Sequence, residues 1–472
     1  MPKKFPILFP LMLGTLMSGI DSSIVNVSLP VMRKQFNVGL SDIEWVITVY
    51  MLGFCVFMPL VNWMKQRIGF YALYLGSLSL FIIGSLCCAL SHSLPQLIAS
   101  RGLQAFGGGA IAPTAMAILS TTFPKSERGN VMGWWALGSI TGPAMGPTLG
   151  GILTHYFGWP SIFMVNIPIG IIAIAIAAIS LRFLKQQANT KTDFDFRGFI
   201  FFSLFILLFQ YGFVQMSKKG LSSLPTVLII LSALLSLFIF IRLNRNNDKA
   251  LFDLQIFRHA IFVQSMIITF IRAIALYGGL FLLPFLLQGL LHYSEIQSGL
   301  MILPNSIAMA IMTPMAGTWS DKHGPKRIVV TGICLVALSM MLFSQAENPL
   351  TWYILIAMAI RGLGMGCLVS TITSTSLNAV LPSETTSASS MYTLVQQLGG
   401  SIGIAVSGVT HQFLYAFYSS KGDTAPLAEH HAIEDVFIIS MFLVLLALIP
   451  GLMLPSGVQP QKNNAFNAAS IH

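Results

Sequence analysis

Apolar runs of about 20 residues follow one another from the N-terminus to about residue 455 and leave no stretch long enough for a water-soluble core. Of the 472 residues, 55% are hydrophobic and 9% are charged, against about 25% charged in a soluble domain. In a bilayer every backbone polar group must be satisfied internally, so runs of this length become helices. The fold class is therefore an all-α polytopic membrane protein. A window of about 20 residues predicts spans at 6–30, 45–64, 70–90, 96–122, 130–154, 160–183, 197–216, 224–243, 260–289, 297–319, 326–346, 351–380, 387–417 and 434–455, fourteen in all. The start Met1-Pro2-Lys3-Lys4 resembles a signal peptide, but no small-x-small site closes the run, so it reads as a retained first span.

An even number of spans puts both termini on one side. With that side inside, 18 of the 26 Lys/Arg fall in inner loops and tails, five in outer loops and three within spans. The positive-inside rule therefore predicts cytoplasmic termini in a cell (inner or plasma) membrane. Membrane orientation, and not a nucleic-acid partner, accounts for the net charge of +10. Cys55, Cys87, Cys88, Cys334 and Cys367 all sit in apolar runs without metal-ligand spacing and read as small core residues.

An internal repeat divides the chain. Pro59 to Arg67-Ile68-Gly69 aligns with Pro314 to Lys322-His323-Gly324 at an offset of 255, and Arg101-Gly102-Leu103 with Arg361-Gly362-Leu363 at an offset of 260. Two related six-helix bundles follow, 1–185 and 259–472, with a two-helix insert and its linkers at 186–258. Parallel repeats of this kind are a transporter architecture with the substrate site between the halves.

Charges inside spans cost a few kcal/mol each, about 2.5–3.5 on insertion scales, and mark functional sites. Of 16 acidic residues, Asp21 alone falls inside a predicted span, with the other 15 in loops or at helix ends. It sits about 22 Å into its helix, somewhat past midplane. Desolvation there favours the neutral acid unless a cation lies nearby, which points to an ion or proton site. Packing by a hydrogen bond to a neighbouring helix is the plainer alternative. Arg101, with Gln104 three residues on along the same face, carries a charge that cannot be removed; it either acts on Asp21 or anchors helices. Arg272 lies near midplane on span 9, which opens the second half as span 1 opens the first. It is expected to face a central cavity and either pair with Asp21 or bind an anionic substrate group; a satisfied internal arginine is the alternative.

Gly138, Gly142, Gly146 and Gly150 form a four-residue stripe that lets helices approach closely, and Pro143 and Pro147 remove backbone donors beside it. Asp321, beside Lys322, Lys326 and Arg327, is expected to clamp two inner helix ends, whereas Gln66 before Gly69 has no charge to do so in the first half. Arg361 is grouped with these gating residues. Asn26, Tyr50, Trp134, Tyr277, Gln288 and Asn305 are further candidates to contact substrate, together with Gln104 and Arg272.

These motifs resemble the major facilitator superfamily, and most closely its 14-span drug:proton antiporter branch, the EmrB/QacA-like multidrug exporters. Ile20-Asp21-Ser22-Ser23-Ile24-Val25-Asn26-Val27-Ser28-Leu29-Pro30 is similar to that branch's first-helix motif. Arg101 to Gly109 is similar to the fourth-helix R-x-x-Q-G-x-G, and Gly138 to Gly151 to the fifth-helix antiporter motif. The loop between spans 2 and 3 departs from the superfamily signature at Asn62, Gln66 and Phe70-Tyr71, while Gly317, Asp321, Lys322, Gly324, Lys326 and Arg327 keep it nearly intact in the second half. The resemblance implies proton-driven export of small amphipathic compounds with Asp21 and Arg101 in the proton pathway, and a glycine-stripe helix that blocks leak. It implies no cofactor. Export of one endogenous, anionic metabolite or lipid is the second expectation, and a non-transporting sensor or scaffold the third. A periplasmic adaptor partner stays open. No nucleotide-binding loop, H-E-x-x-H or soluble triad is present, so an enzyme is not expected.

Overall fold

The computed structural model describes residues 4–123, 125–185, 194–219, 223–245, 254–345, 351–381 and 384–457. The membrane-length helices are α1 (Lys4–Phe36); α2 and α3, which share the helical stretch Trp45–Ala89 and are divided at Gly69; α4 (Leu94–Thr122); α5 (Lys125–Phe157); α6 (Asn166–Ser180); α7 (Phe196–Lys219); α8 (Leu224–Asn244); α9 (Ala260–Pro284, extended by a π-helical Phe285–Leu290); α10 (Glu295–His323); α11 (Pro325–Phe343); α12 (Thr351–Asn378); α13 (Thr385–Ser420); and α14 (Ala425–Leu445). Twelve helices among the described residues are long and apolar enough to cross a membrane. α5 and α13 are as long but rich in Gly, Ser and Thr, and stand outside those twelve.

The repeat is visible in the backbone. Gly69 (φ 77°, ψ 165°) and Gly324 (φ 82°, ψ 159°) adopt the same conformation at the same offset of 255. Both divide two consecutive helices, and φ in this range disfavours any side chain. The two halves are six-helix bundles. α2 meets α13 and α5 meets α10 across the seam between them.

The glycine stripe packs α5 onto α1 within the first half. A Cβ at Gly142 would lie 2.7 Å from the Leu16 carbonyl oxygen, and one at Gly150 would lie 2.6 Å from that of Ile24. Gly138 faces Met12, and Gly146 faces Ile20 and Ser23. The stripe itself faces α1, while the residues beside it bring the same helix against the other half: Gly151 meets the Glu295 backbone, and Gly299 meets the Pro147 carbonyl.

The inserted α7 and α8 pack on each other, and α7 leans on α13. Gln210 Nε2 donates to the Ser401 carbonyl at 3.4 Å. Beside it lies an apolar cavity of about 180 Å³ lined by Leu52, Phe205, Phe209, Phe270 and Leu398. The insert thus sits where α2 and α13 meet.

Three contacts join the halves at the end of the bundle away from the termini: Arg33–Glu429 at 3.2 Å, His155–Glu295 at 3.0 Å, and Gln288 Nε2 donating to the Val27 carbonyl at 2.8 Å. Cys87 and Cys334 are exposed on helix surfaces, which corrects their reading as core residues, whereas Cys55, Cys88 and Cys367 are buried.

Replacing Gly142 by Leu forces α1 and α5 apart, and overpacking of this kind costs about 1–3 kcal/mol. The expected outcome is a lower melting temperature and lower folded yield in lipid. Gly76→Leu, in open space, leaves both near wild type.

Candidate functional site

Asp21 is 0% and Arg101 1% exposed, and Arg101 Nη1 donates to Asp21 Oδ2 at 2.7 Å. α1 and α4 bring them together because each carries one polar face into an otherwise apolar bundle. Asp21 Oδ1 accepts from Gln104 Nε2 and from Asn166 Nδ2, both at 2.9 Å. Arg101 Nη1 also donates to Gln104 Oε1 at 2.6 Å. Ser85 Oγ accepts from Gln104 at 2.7 Å and from Asn166 at 3.3 Å, and donates to the Phe81 carbonyl at 2.9 Å. Arg101 Nε donates to the Val46 carbonyl at 3.0 Å, and its guanidinium lies over the Tyr50 ring at 4.2 Å and the Phe163 ring at 5.5 Å.

Helices α1, α2, α3, α4 and α6 therefore all contribute to one closed cage. The carboxylate accepts from three side chains, one of them permanently charged. Protonation of Asp21 would set an O–H donor against those donors. It would also leave Arg101 with only the carbonyl of Val46, the amide of Gln104 and two aromatic faces. The carboxylate thus ties α1 to α4 and α6 through side-chain hydrogen bonds.

Several expectations change here. Arg272 does not pair with Asp21. Its Nη2 instead donates to Tyr392 Oη at 3.3 Å and Gln396 Oε1 at 3.2 Å, inside the second bundle. Gln104 and Tyr50, expected at the substrate, belong to the Asp21–Arg101 cage. Asn26 Nδ2 donates to the Ser23 carbonyl at 3.1 Å on its own helix. Trp134 is 54% exposed and apart from the cage; its neighbour Trp135 donates to Thr15 Oγ1 at 3.0 Å. Gln288 links the halves, as given above, and Asn305 is buried with its backbone against Gly362. Tyr277 is half-buried and lies beside Gln396.

Among the gating candidates, Arg361 Nη2 donates to the Leu276 carbonyl at 2.7 Å, and Pro143 packs on Gly19. Gln66 is half-buried and Arg327 exposed, while the side chains of Asp321 and Asn62 lie outside the described residues.

Two polar residues were not assigned to the site from the sequence. Asn166 follows Trp159 to Phe163 at the start of α6, where an amide is easily taken for a cap; its lone polarity in an apolar helix was the available signal. Glu44, one residue outside the predicted second span, is 1% exposed with its carboxylate against Gly408 of α13. Asp21 is thus not the sole buried acid.

Two pseudo-symmetric helical bundles with a charged pair buried in one of them define a membrane transporter, and the comparisons agree. A family model for the Major Facilitator Superfamily matches residues 11–404 and 265–468, so the chain belongs to that superfamily. It is 30% identical over 480 residues to the "Multidrug resistance protein B homolog" of Mycobacterium tuberculosis strain H37Rv, covering 94% of this chain and 88% of the relative. It is 31% identical over 425 residues to the "Riboflavin transporter RibZ" of Clostridioides difficile, covering 89% and 88%. Among solved structures, a peptide transporter POT in complex with sulfate aligns with TM-score 0.68 at 12% identity, covering 96% of each chain. An inward-facing bacterial homolog of the human lysosomal transporter Spinster aligns at 0.66 and 14%, covering 96% and 97%. At these identities the two structures speak for the fold alone.

Removing one member of a buried pair leaves an uncompensated charge and costs about 3–5 kcal/mol. Arg101→Gln and Asp21→Asn are each expected to destabilise by that order, and the double variant by less than their sum. Unfolding in lipid or mild detergent, read as a double-mutant cycle, checks this.

Proposed function

We propose that this transporter is a proton-coupled antiporter that exports amphipathic organic compounds by alternating access, on a 14-span topology with both termini cytoplasmic. The observation that carries the proposal is the buried Asp21–Arg101 pair at 2.7 Å, tied to Gln104 and Asn166. A pair of this kind is costly to keep in hydrocarbon, and a protonatable member gives the cost a use. Protonation of Asp21 releases α1 from α4 and α6. Since α5 is packed on α1 through its glycine stripe and meets α10 across the seam, a shift of α1 is transmitted to the junction between halves. With termini cytoplasmic, Arg33–Glu429, His155–Glu295 and Gln288–Val27 close the outer face. The proton gradient drives the cycle and no cofactor takes part.

A second reading is export of one specific metabolite. The resemblance to a riboflavin transporter by name supports it, as does the excess of buried arginine over partnered acid in the second half.

Proteoliposomes under an imposed pH gradient test the coupling. Wild type is expected to move protons when substrate is present. Asp21→Asn is expected to lose gradient-driven flux to the level of protein-free liposomes while keeping substrate exchange. Gradient-driven flux that survives Asp21→Asn overturns the assignment. Proton movement stimulated by many unrelated compounds favours multidrug export, and by a single compound the second reading.

A further inference from the structure

The three intramembrane arginines are not equivalent. Arg101 has its carboxylate. Arg361 lies among Gly279, Met340 and the Leu276 carbonyl; its Nη1 is likewise buried without an acceptor among the described residues, but no side-chain hydrogen bond positions it there. Arg272 differs from both. It is 2% exposed, about 18 Å along α9, too deep to reach an interface. Among the described residues no carboxylate lies within ion-pair distance of it. A guanidinium has five N–H donors. Two can be assigned to Nη2 and its partners Tyr392 and Gln396, while Nε and Nη1, bearing three N–H bonds, are buried with no acceptor among the described residues.

The surroundings are built and polar. Thr373 Oγ1 of α12 donates to Tyr392 Oη at 2.8 Å, which fixes that hydroxyl. Gln396 lies beside Tyr277 as well as accepting from Arg272. Tyr277 borders the seam, since its ring and Met51 of α2 close on Gly400 from opposite halves. A permanent charge is thus held in place by neutral partners, with donors left over next to the seam. Buried donors of this kind call for an explanation, and the chemistry that satisfies them is anionic oxygen.

We propose that Arg272, positioned by Tyr392 and Gln396, binds the anionic oxygen group of the transported compound, so that the substrate class is an organic anion such as an aromatic carboxylate. The apolar body of that compound lies in the seam towards Tyr277 and Met51. This inference rests on the transport reading but not on proton coupling, and its test uses no gradient, so the two can fail separately.

The experiment measures binding of naphthalene-2-carboxylate and of its neutral amide to the full-length protein in nanodiscs of zwitterionic lipid. Wild type is expected to prefer the carboxylate by roughly 10- to 100-fold, the range expected for hydrogen bonds to a charged group. Arg272→Gln should remove the preference without weakening the amide. Gln396→Glu keeps Arg272 and offers it an internal carboxylate, so it should also remove the preference in a folded protein. Repeating the measurement with phosphatidylglycerol present separates sources: competition by the lipid places its headgroup on the same arginine, and its absence reserves the site for soluble anions. Equal affinity for the two probes in wild type, no carboxylate binding at millimolar concentration, or a preference that survives Arg272→Gln or Gln396→Glu overturns the proposal.

Discussion

The contact between Arg101 and Asp21 organises the first half. A carboxylate and a guanidinium in hydrocarbon are each expensive, and neither is tolerable alone. Their pairing obliges α1 and α4 to lie with those positions facing, and the remaining lone pairs recruit Gln104 and Asn166, whose amides also donate to Ser85. Tyr50 and Phe163 then cover the guanidinium with aromatic faces, which excludes lipid and water. Close packing follows around this cage. The stripe from Gly138 to Gly150 brings the α5 backbone against α1, so α1 is gripped on one side by hydrogen bonds and on another by backbone contact.

The second half repeats the backbone but not the chemistry. Gly324 reproduces the conformation of Gly69, and Arg361 stands where the repeat requires a partner for Arg101. Yet α9 presents Gly279 and a backbone carbonyl to Arg361 where α1 presents Asp21 to Arg101. Its polar residues gather instead around Arg272, with Tyr277, Tyr392 and Gln396. One half thus pairs its buried arginine with a carboxylate, and the other holds its buried arginines among neutral partners. The seam between the halves is made of contacts of α5 with α10 and of α2 with α13, and of ion pairs at the end away from the termini.

Much of this was legible beforehand because hydrocarbon permits few solutions. Apolar length placed the helices, and the offsets 255 and 260 placed the repeat. The price of burying a carboxylate singled out Asp21. The glycine stripe was legible as close packing but not as to its partner. Trp134 and Trp135 adjoin in sequence and differ only in which way the helix turns them, so their choice needed the structure. Glu44 lay one residue outside a predicted span, within the ordinary uncertainty of a helix end.

By itself the sequence determined an all-helical membrane protein of two related halves with one midplane acid and three midplane arginines, because composition and periodicity alone decide what a bilayer accepts. Only the tertiary structure decided which arginine meets the acid. Depth along a helix brought Arg272 and Arg101 equally close to Asp21 on paper. Lateral packing separates them: α4 lies beside α1 within one bundle, whereas Arg272 points to α13 in the other. A one-dimensional pattern carries depth and face but not neighbour, and an ion pair of 2.7 Å depends on the neighbour.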